Sequence, residues 1–167
     1  DPSYFFTPEG EDFEWFYAQH NVSILDNGDI ALFDNGTAKV KRVDGDNRVS
    51  GDNVYSRAVV YQIDTENMTV SQVTEYGKER GADWYSDWIS GVVSLDGTQD
   101  HLWITAGSHL HSDEENRSDY YPKDMFVQGL TKTTHIDQVD NGELSFELTI
   151  SGDTYNALTY RSFRMPL

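Results

Sequence analysis

Short runs of alternating apolar and polar residues, each closed by an Asx- or glycine-containing turn, recur along this chain. Arg57-Ala58-Val59-Val60-Tyr61-Gln62-Ile63-Asp64 and Leu144-Ser145-Phe146-Glu147-Leu148-Thr149-Ile150 show the alternation most clearly. A period of two sends successive side chains to opposite faces of a strand and cannot build the apolar stripe of a helix. The joining segments, Asp26-Asn27-Gly28-Asp29, Asp64-Thr65-Glu66-Asn67, Asp96-Gly97-Thr98-Gln99 and Asp140-Asn141-Gly142, carry turn chemistry. Their side-chain oxygens bond to nearby backbone, and Gly and Asn tolerate left-handed dihedrals. Strands are predicted near 20–25, 29–34, 56–64, 68–76, 89–95, 101–107, 131–139, 142–150 and 155–164. No long amphipathic helix emerges, and the fold class is all-β.

The strands fall into two groups of four, His20 to Tyr76 and Trp88 to Ile150. Each group has tight first and last hairpins and a polar insertion in between, at 44–54 and at 108–124. Antiparallel four-stranded units of this kind are what propeller blades look like. A β-sandwich of eight or nine strands fits the same count. In the blade reading the chain is one all-β unit, 1–167, with a blade at about 17–80, a second at 85–150 and a closing strand at 151–167.

The 167 residues suffice for one domain with a substantial core. A formal net charge of −17 argues against a protein that tracks nucleic-acid phosphates. The same field repels any anionic substrate, which would need a local cluster of Arg, Lys or His⁺ to hold it. No apolar run is long enough to span a membrane. The absence of cysteine rules out disulfides and thiolate metal sites. Asp1-Pro2-Ser3 does not read as a signal peptide, which leaves a processed or trimmed start open.

Gln19-His20 sits where the first strand of the first group begins, and Asp34-Asn35-Gly36 where its hairpin partner ends. A hairpin returns to the same edge of a sheet, so His20 and Asn35 are expected at the same end of one two-stranded unit. That arrangement would bring a nucleophile and a polar orienting group together.

Several motifs follow one another in order: Tyr17-Ala18-Gln19-His20, Leu32-Phe33-Asp34-Asn35-Gly36, Tyr55-Ser56-Arg57 through Asp64, Glu75-Tyr76-Gly77-Lys78-Glu79-Arg80-Gly81 and Trp84-Tyr85-Ser86. Together they resemble the bacterial arylsulfate sulfotransferases, densely over about 15–90 and more thinly to the terminal Tyr160-Arg161-Ser162-Phe163-Arg164. The resemblance implies the C-terminal part of a six-bladed propeller. It also implies sulfuryl transfer between phenols through a transiently sulfated histidine, without the nucleotide donor 3′-phosphoadenylyl sulfate or any other cofactor. The family's Gln-His motif falls on His20, which places the covalent role there. Its other active-site residues come from earlier blades, which makes those blades, an aryl sulfate and a phenol the implied partners. Relatives are commonly exported, which implies a periplasmic or extracellular location. Exposed blade edges and an uncovered apolar face would favour self-association of the piece.

The chemistry suits the residues. A neutral imidazole can attack sulfur and divide one transfer into two steps, and N–H donors aimed at the sulfuryl oxygens lower the barrier. Arg57, expected at the start of the third strand beside Asn35, is the local candidate to fork onto two oxygens; its alternative is a structural ion pair. Tyr85 is a candidate to orient a phenol, and Asn35 is alternatively a turn residue with Gly36. Lys78 and Arg80 read as a solvated turn with Glu75 and Glu79. His109-x-His111, followed by Asp113, Glu114 and Glu115, has metal-ligand spacing but lies in a very polar insertion. Asp44-Gly45-Asp46-Asn47 with Asp52-Asn53 hints at calcium but lacks the closing Glu of an EF-hand. Trp15, Phe16, Trp84, Trp88 and Trp103 read first as core and second as a phenol-stacking wall. A non-catalytic propeller-like binding module for a glycan or protein, and an acidic calcium-dependent surface domain, are the competing functions.

Overall fold

A computed structural model describes residues 4–37, 55–111, 131–152 and 157–165. Two sheets account for its strands. The first contains β1 (Thr7–Glu9), β2 (Gln19–Ile24), β3 (Ile30–Asp34), β4 (Arg57–Asp64) and β5 (Thr69–Tyr76), in the order β1-β5-β4-β3-β2. The second runs β6 (Gly91–Ser94), β7 (His101–His111), β8 (Thr131–Asp140) and β9 (Glu143–Ile150) in sequence order. All pairings are antiparallel except that of β1 with β5. Thus β2 to β5 and β6 to β9 each run as an antiparallel meander, and β1 adds to the outer edge of β5. Strands that never switch sheets belong to propeller blades rather than to a Greek-key sandwich. The chain is an all-β, propeller-like unit.

The alternating patterns produce the layers. Ala31, Phe33, Ala58, Val60 and Tyr76 of the first sheet meet Val92, Leu102, Ile104, Ala106 and Val139 of the second in one buried cluster. Trp84, fully buried, fills the seam from the 3-10 segment Lys78–Trp84 that links the sheets. Its removal to alanine would cost about 3–5 kcal/mol, as buried aromatic truncations do. The opposite face of the first sheet buries Leu32, Val59, Tyr61 and Val70 under Phe6, Phe13 and Phe16.

Four sequence expectations are corrected. The edge strand β1 was not foreseen, because Thr7-Pro8-Glu9 is short and its proline lacks an N–H, which an edge position tolerates. Residues 157–165 form an extended strap rather than a closing strand, held by Ala157 N–H to Lys132 O at 2.9 Å and Thr159 N–H to Gly107 O at 3.1 Å. A Cβ on Gly107 would fall 1.7 Å from the Thr159 carbonyl oxygen, so only glycine lets the strap lie this close. Trp15 and Trp88 are substantially exposed, so neither is core, whereas Trp103 stacks on Phe146 at 5.7 Å.

The fourth correction concerns Arg80, which is no solvated turn residue. It donates to the buried Asp137 of the second sheet at 2.8 Å and to Glu147 at 2.5 Å, and its guanidinium lies 5.6 Å from the Trp84 ring. Tyr76 O–H also donates to Asp137, at 3.1 Å. Burial pushes the Asp137 carboxyl up from 3.8 to about 6, against the pull of the Arg80 charge. A carboxyl raised in the folded state favours folding fully below its unfolded value and loses that contribution as pH rises through the folded one. The melting temperature of the parent relative to Asp137→Asn should therefore fall between pH 4 and pH 6 and level off above. A difference that stays constant across that range in calorimetric scans would contradict this account.

Candidate functional site

His20 lies in an irregular stretch of β2. Gln19 pairs with Asp34 and His20 with Phe33, but the next pair is Ser23 with Ala31, so one extra residue bulges after His20. Ala18 and Asn21, on either side of Gln19-His20, have φ of 59° and 52°. Bulges re-aim side chains, and this one leaves His20 half-buried at the sheet edge. Asn21 Nδ2 donates to Val92 O at 2.6 Å, tying the bulge to β6 of the second sheet.

Asn35 sets the chemistry of the histidine. It is fully buried at the end of β3. Its Nδ2 donates to two backbone carbonyls, Ser86 O at 2.7 Å and Ile89 O at 3.0 Å. The amide nitrogen is thereby assigned, and Oδ1 must be the atom that faces His20 Nδ1 at 2.6 Å. An amide oxygen only accepts, so His20 Nδ1 carries the proton and donates. In a neutral ring the lone pair then sits on Nε2, the atom able to attack an electrophile. Gly36, at φ 69°, follows at once; a Cβ there would lie 2.2 Å from the Tyr55 carbonyl oxygen. The turn role of Gly36 and the orienting role of Asn35 coexist.

The loop that supplies the two carbonyls is itself held by a buried polar network. Ser86 N–H donates to Ser56 Oγ at 2.8 Å, and Ser56 Oγ donates to Asn35 O at 2.9 Å. Ser108 N–H donates to Ser86 Oγ, and Gly107 N–H to Ser90 Oγ. Beneath it, Lys132 Nζ, 1 % exposed, reaches Asp87 Oδ1 at 3.1 Å and Oδ2 at 3.2 Å, and Ser108 Oγ at 2.8 Å. Burial pulls the Lys132 ammonium below its ordinary value, and the Asp87 carboxylate opposes that shift. Sequence reasoning missed this cluster, because a lysine among threonines in Thr131-Lys132-Thr133-Thr134 resembles an exposed edge.

Of the residues singled out by sequence, His20 and Asn35 are brought together and two others are not. Arg57, taken as a sulfate-binding candidate, is fully buried on the face of the first sheet turned away from the second. Its Nε donates to Asp34 Oδ2 at 3.0 Å, its Nη1 to Gln72 and Glu75, and its Nη2 to Glu14 O and Tyr61 Oη. All five N–H groups are committed within the chain, so the ion-pair alternative is the one its geometry fits. Burial pushes the Tyr61 hydroxyl up to about 12, so it stays a neutral neighbour of this cluster. Tyr85 is 1 % exposed, and its carbonyl accepts from His109 Nδ1 at 2.9 Å, so its ring offers no open surface to a phenol. Buried His109 meets the His135 ring edge-on at 5.5 Å, and among the described residues no three potential ligands gather around a metal position. The calcium-like stretch 44–53 lies outside the described residues.

Comparison with known proteins decides the ancestry. The arylsulfotransferase family model matches residues 2–161. The chain belongs to the arylsulfotransferase family. It is 34 % identical over 156 residues to an arylsulfate sulfotransferase AssT of Escherichia coli O6:H1, and 29 % identical over 156 residues to that of Lelliottia amnigena. Each alignment covers 92 % of this chain and 23 % of the relative, so the chain spans about a quarter of the family members it matches. No helix among the described residues is long and apolar enough to cross a membrane.

Removing the Lys132 ammonium should leave Asp87 charged and buried without its cation. Lys132→Met is therefore expected to destabilise the fold by about 3–5 kcal/mol in urea unfolding, the usual cost of breaking a buried pair. A loss below about 1 kcal/mol, the range of exposed pairs, would show that the pair is solvated.

Proposed function

We propose that His20 is the sulfuryl-accepting nucleophile of a phenol sulfotransferase that works without a nucleotide donor, and that this chain supplies one wall of its site. The observation that carries the reading is the 2.6 Å contact from His20 Nδ1 to an Asn35 amide whose orientation two carbonyls dictate. It leaves Nε2 as the attacking atom. The Nε2 lone pair forms a bond to sulfur of an aryl sulfate while the S–O bond to the aryl group breaks and the phenolate leaves. An acceptor phenol, losing its proton to solvent, then attacks sulfur, and the N–S bond breaks to return neutral His20. As positive charge grows on the ring during attack, the Nδ1–H···Oδ1 bond strengthens, which favours the transition state over the ground state. A non-catalytic binding module would leave this fixed tautomer without a task.

The remaining blades of the same protein complete the site in this reading. Phe146, Leu148 and Ile150, on one face of β9, are 40–44 % exposed, and Phe163 and Met165 of the strap are more so. An apolar face of this extent supports a neighbouring blade as its cover. The isolated 167 residues should then self-associate and transfer no sulfuryl group from 4-nitrophenyl sulfate to phenol. Robust turnover by a species that light scattering shows to be monomeric would refute that part. We propose that the whole protein is exported, as the family resemblance implies; a fusion of its gene to a periplasm-dependent reporter tests this.

In the full-length protein, His20→Ala should abolish transfer with the fold intact by circular dichroism. Asn35→Ala should lower kcat by about 10²-fold or more, in the range seen when a positioned hydrogen-bonding group is lost. Near-parental turnover in His20→Ala would sink the reading, because covalent transfer needs its nucleophile.

A further inference from the structure

The sulfuryl-transfer reading requires a cation near His20, and Arg57 is committed elsewhere. We infer that Arg161, on the C-terminal strap, binds the sulfuryl oxygens of an aryl sulfate held in front of His20. The inference rests on that reading and goes beyond it.

The strap is fixed on both sides of Tyr160-Arg161. Thr159 N–H donates to Gly107 O at 3.1 Å, Ser162 N–H donates to Thr105 Oγ1 at 3.1 Å, and Trp103 Nε1 donates to Ser162 Oγ at 2.8 Å. Between those anchors, the Tyr160 ring stands edge-on to the His20 ring, with centroids 6.2 Å apart and planes at 82°. The strap therefore forms a boundary of the space beside the histidine. Arg161 lies over the Tyr160 ring, 5.4 Å from its centroid. A guanidinium stacked on an aromatic face keeps its N–H edge available for two oxygens of one anion.

Arg161 also lines a groove of about 320 Å³ between β2 and β6, the two edge strands nearest the site. Its walls include Asn21, which follows His20, and the apolar Val22, Ile24, Val92 and Val93. The lining mixes these apolar side chains with Ser23 and Ser94, and together with one cation it can receive both an aromatic ring and the sulfate it bears.

The distribution of positive charge singles out this residue. Among the described residues, Arg57, Lys78, Arg80 and Lys132 each form an ion pair with a carboxylate. Arg164 donates to the neutral Gln138 amide at 2.6 Å. No carboxylate among the described residues lies within ion-pair distance of Arg161. In a chain of net charge −17, an exposed arginine with no carboxylate partner among the described residues, lying over the ring that meets His20, is a group an incoming anion can reach.

The test is steady-state kinetics of the full-length protein with 4-nitrophenyl sulfate as donor and phenol as acceptor. Arg161→Met should raise KM for the donor about tenfold or more, the scale of losing one charge-assisted forked contact. Arg161→Lys should fall between Arg161→Met and the parent, because the charge stays and the fork is lost. Arg164→Met, on the same strap, should leave donor KM within about twofold of the parent, as expected for a rim side chain. Because Arg161 is exposed, the melting temperature should not move. Parental KM and kcat in Arg161→Met would overturn the inference while leaving His20 in place. If the parent transfers nothing, the sulfuryl-transfer reading fails instead. Calorimetric titration of 4-nitrophenyl sulfate then judges Arg161 alone, and equal affinity of parent and Arg161→Met would overturn it.

Discussion

A buried amide must find partners for every polar atom, and the way Asn35 meets that demand organises the rest of this molecule. Where β3 ends, the sheet ladder no longer serves it, and water does not reach it. Its donors are satisfied from the loop that leads into the second sheet, and its acceptor from β2 of the first sheet. The relative placement of two sheets thus becomes the protonation pattern of one imidazole. Ile89 and Ser90 hold left-handed backbone to deliver those carbonyls, with φ of 51° and 96°. Such conformations persist only where the surroundings over-determine them, here through the hydroxyls of Ser56, Ser86 and Ser90 and the Lys132–Asp87 pair.

Much of the scaffold was legible because alternation and Asx-Gly turns are local signals. The hairpin of β2 and β3 followed from Asp26-Asn27-Gly28-Asp29, and its geometry brought His20 to Asn35 without further information. What stayed hidden depends on distant pairing. Nothing around Arg57 announces that Glu14, forty-odd residues earlier, and Glu75 converge on its guanidinium. Arg80 looked like one charge in a polar turn, but its partners Asp137 and Glu147 belong to the other sheet. Tyr160 could not be connected to His20 by any pattern, since an irregular strap has no period to read.

The acidity of the chain takes on a different meaning once its cations are located. Four of the six described basic residues neutralise buried or half-buried carboxylates that fix the sheets and their seam. Glu14 alone faces both Arg57 and Lys78, and Tyr55 O–H donates to it at 2.5 Å. The buried Asp34, Asp87 and Asp137 each meet a cation, which leaves the excess negative field to the other carboxylates. A field of that kind keeps a protein soluble and makes any cation left exposed near the sheet edge conspicuous to an anion.

The strap of residues 157–165 also joins what the sheets keep apart. Among the described residues its hydrogen bonds go to β7 and β8, through Trp103, Thr105, Gly107, Lys132, Thr134 and Gln138, yet Tyr160 meets a histidine that belongs to β2. Its seat is made by the pairing of β7 with β8, and its contact with His20 by the docking of the two sheets. The wall beside His20 is therefore a property of the docked pair of sheets and not of the first sheet alone.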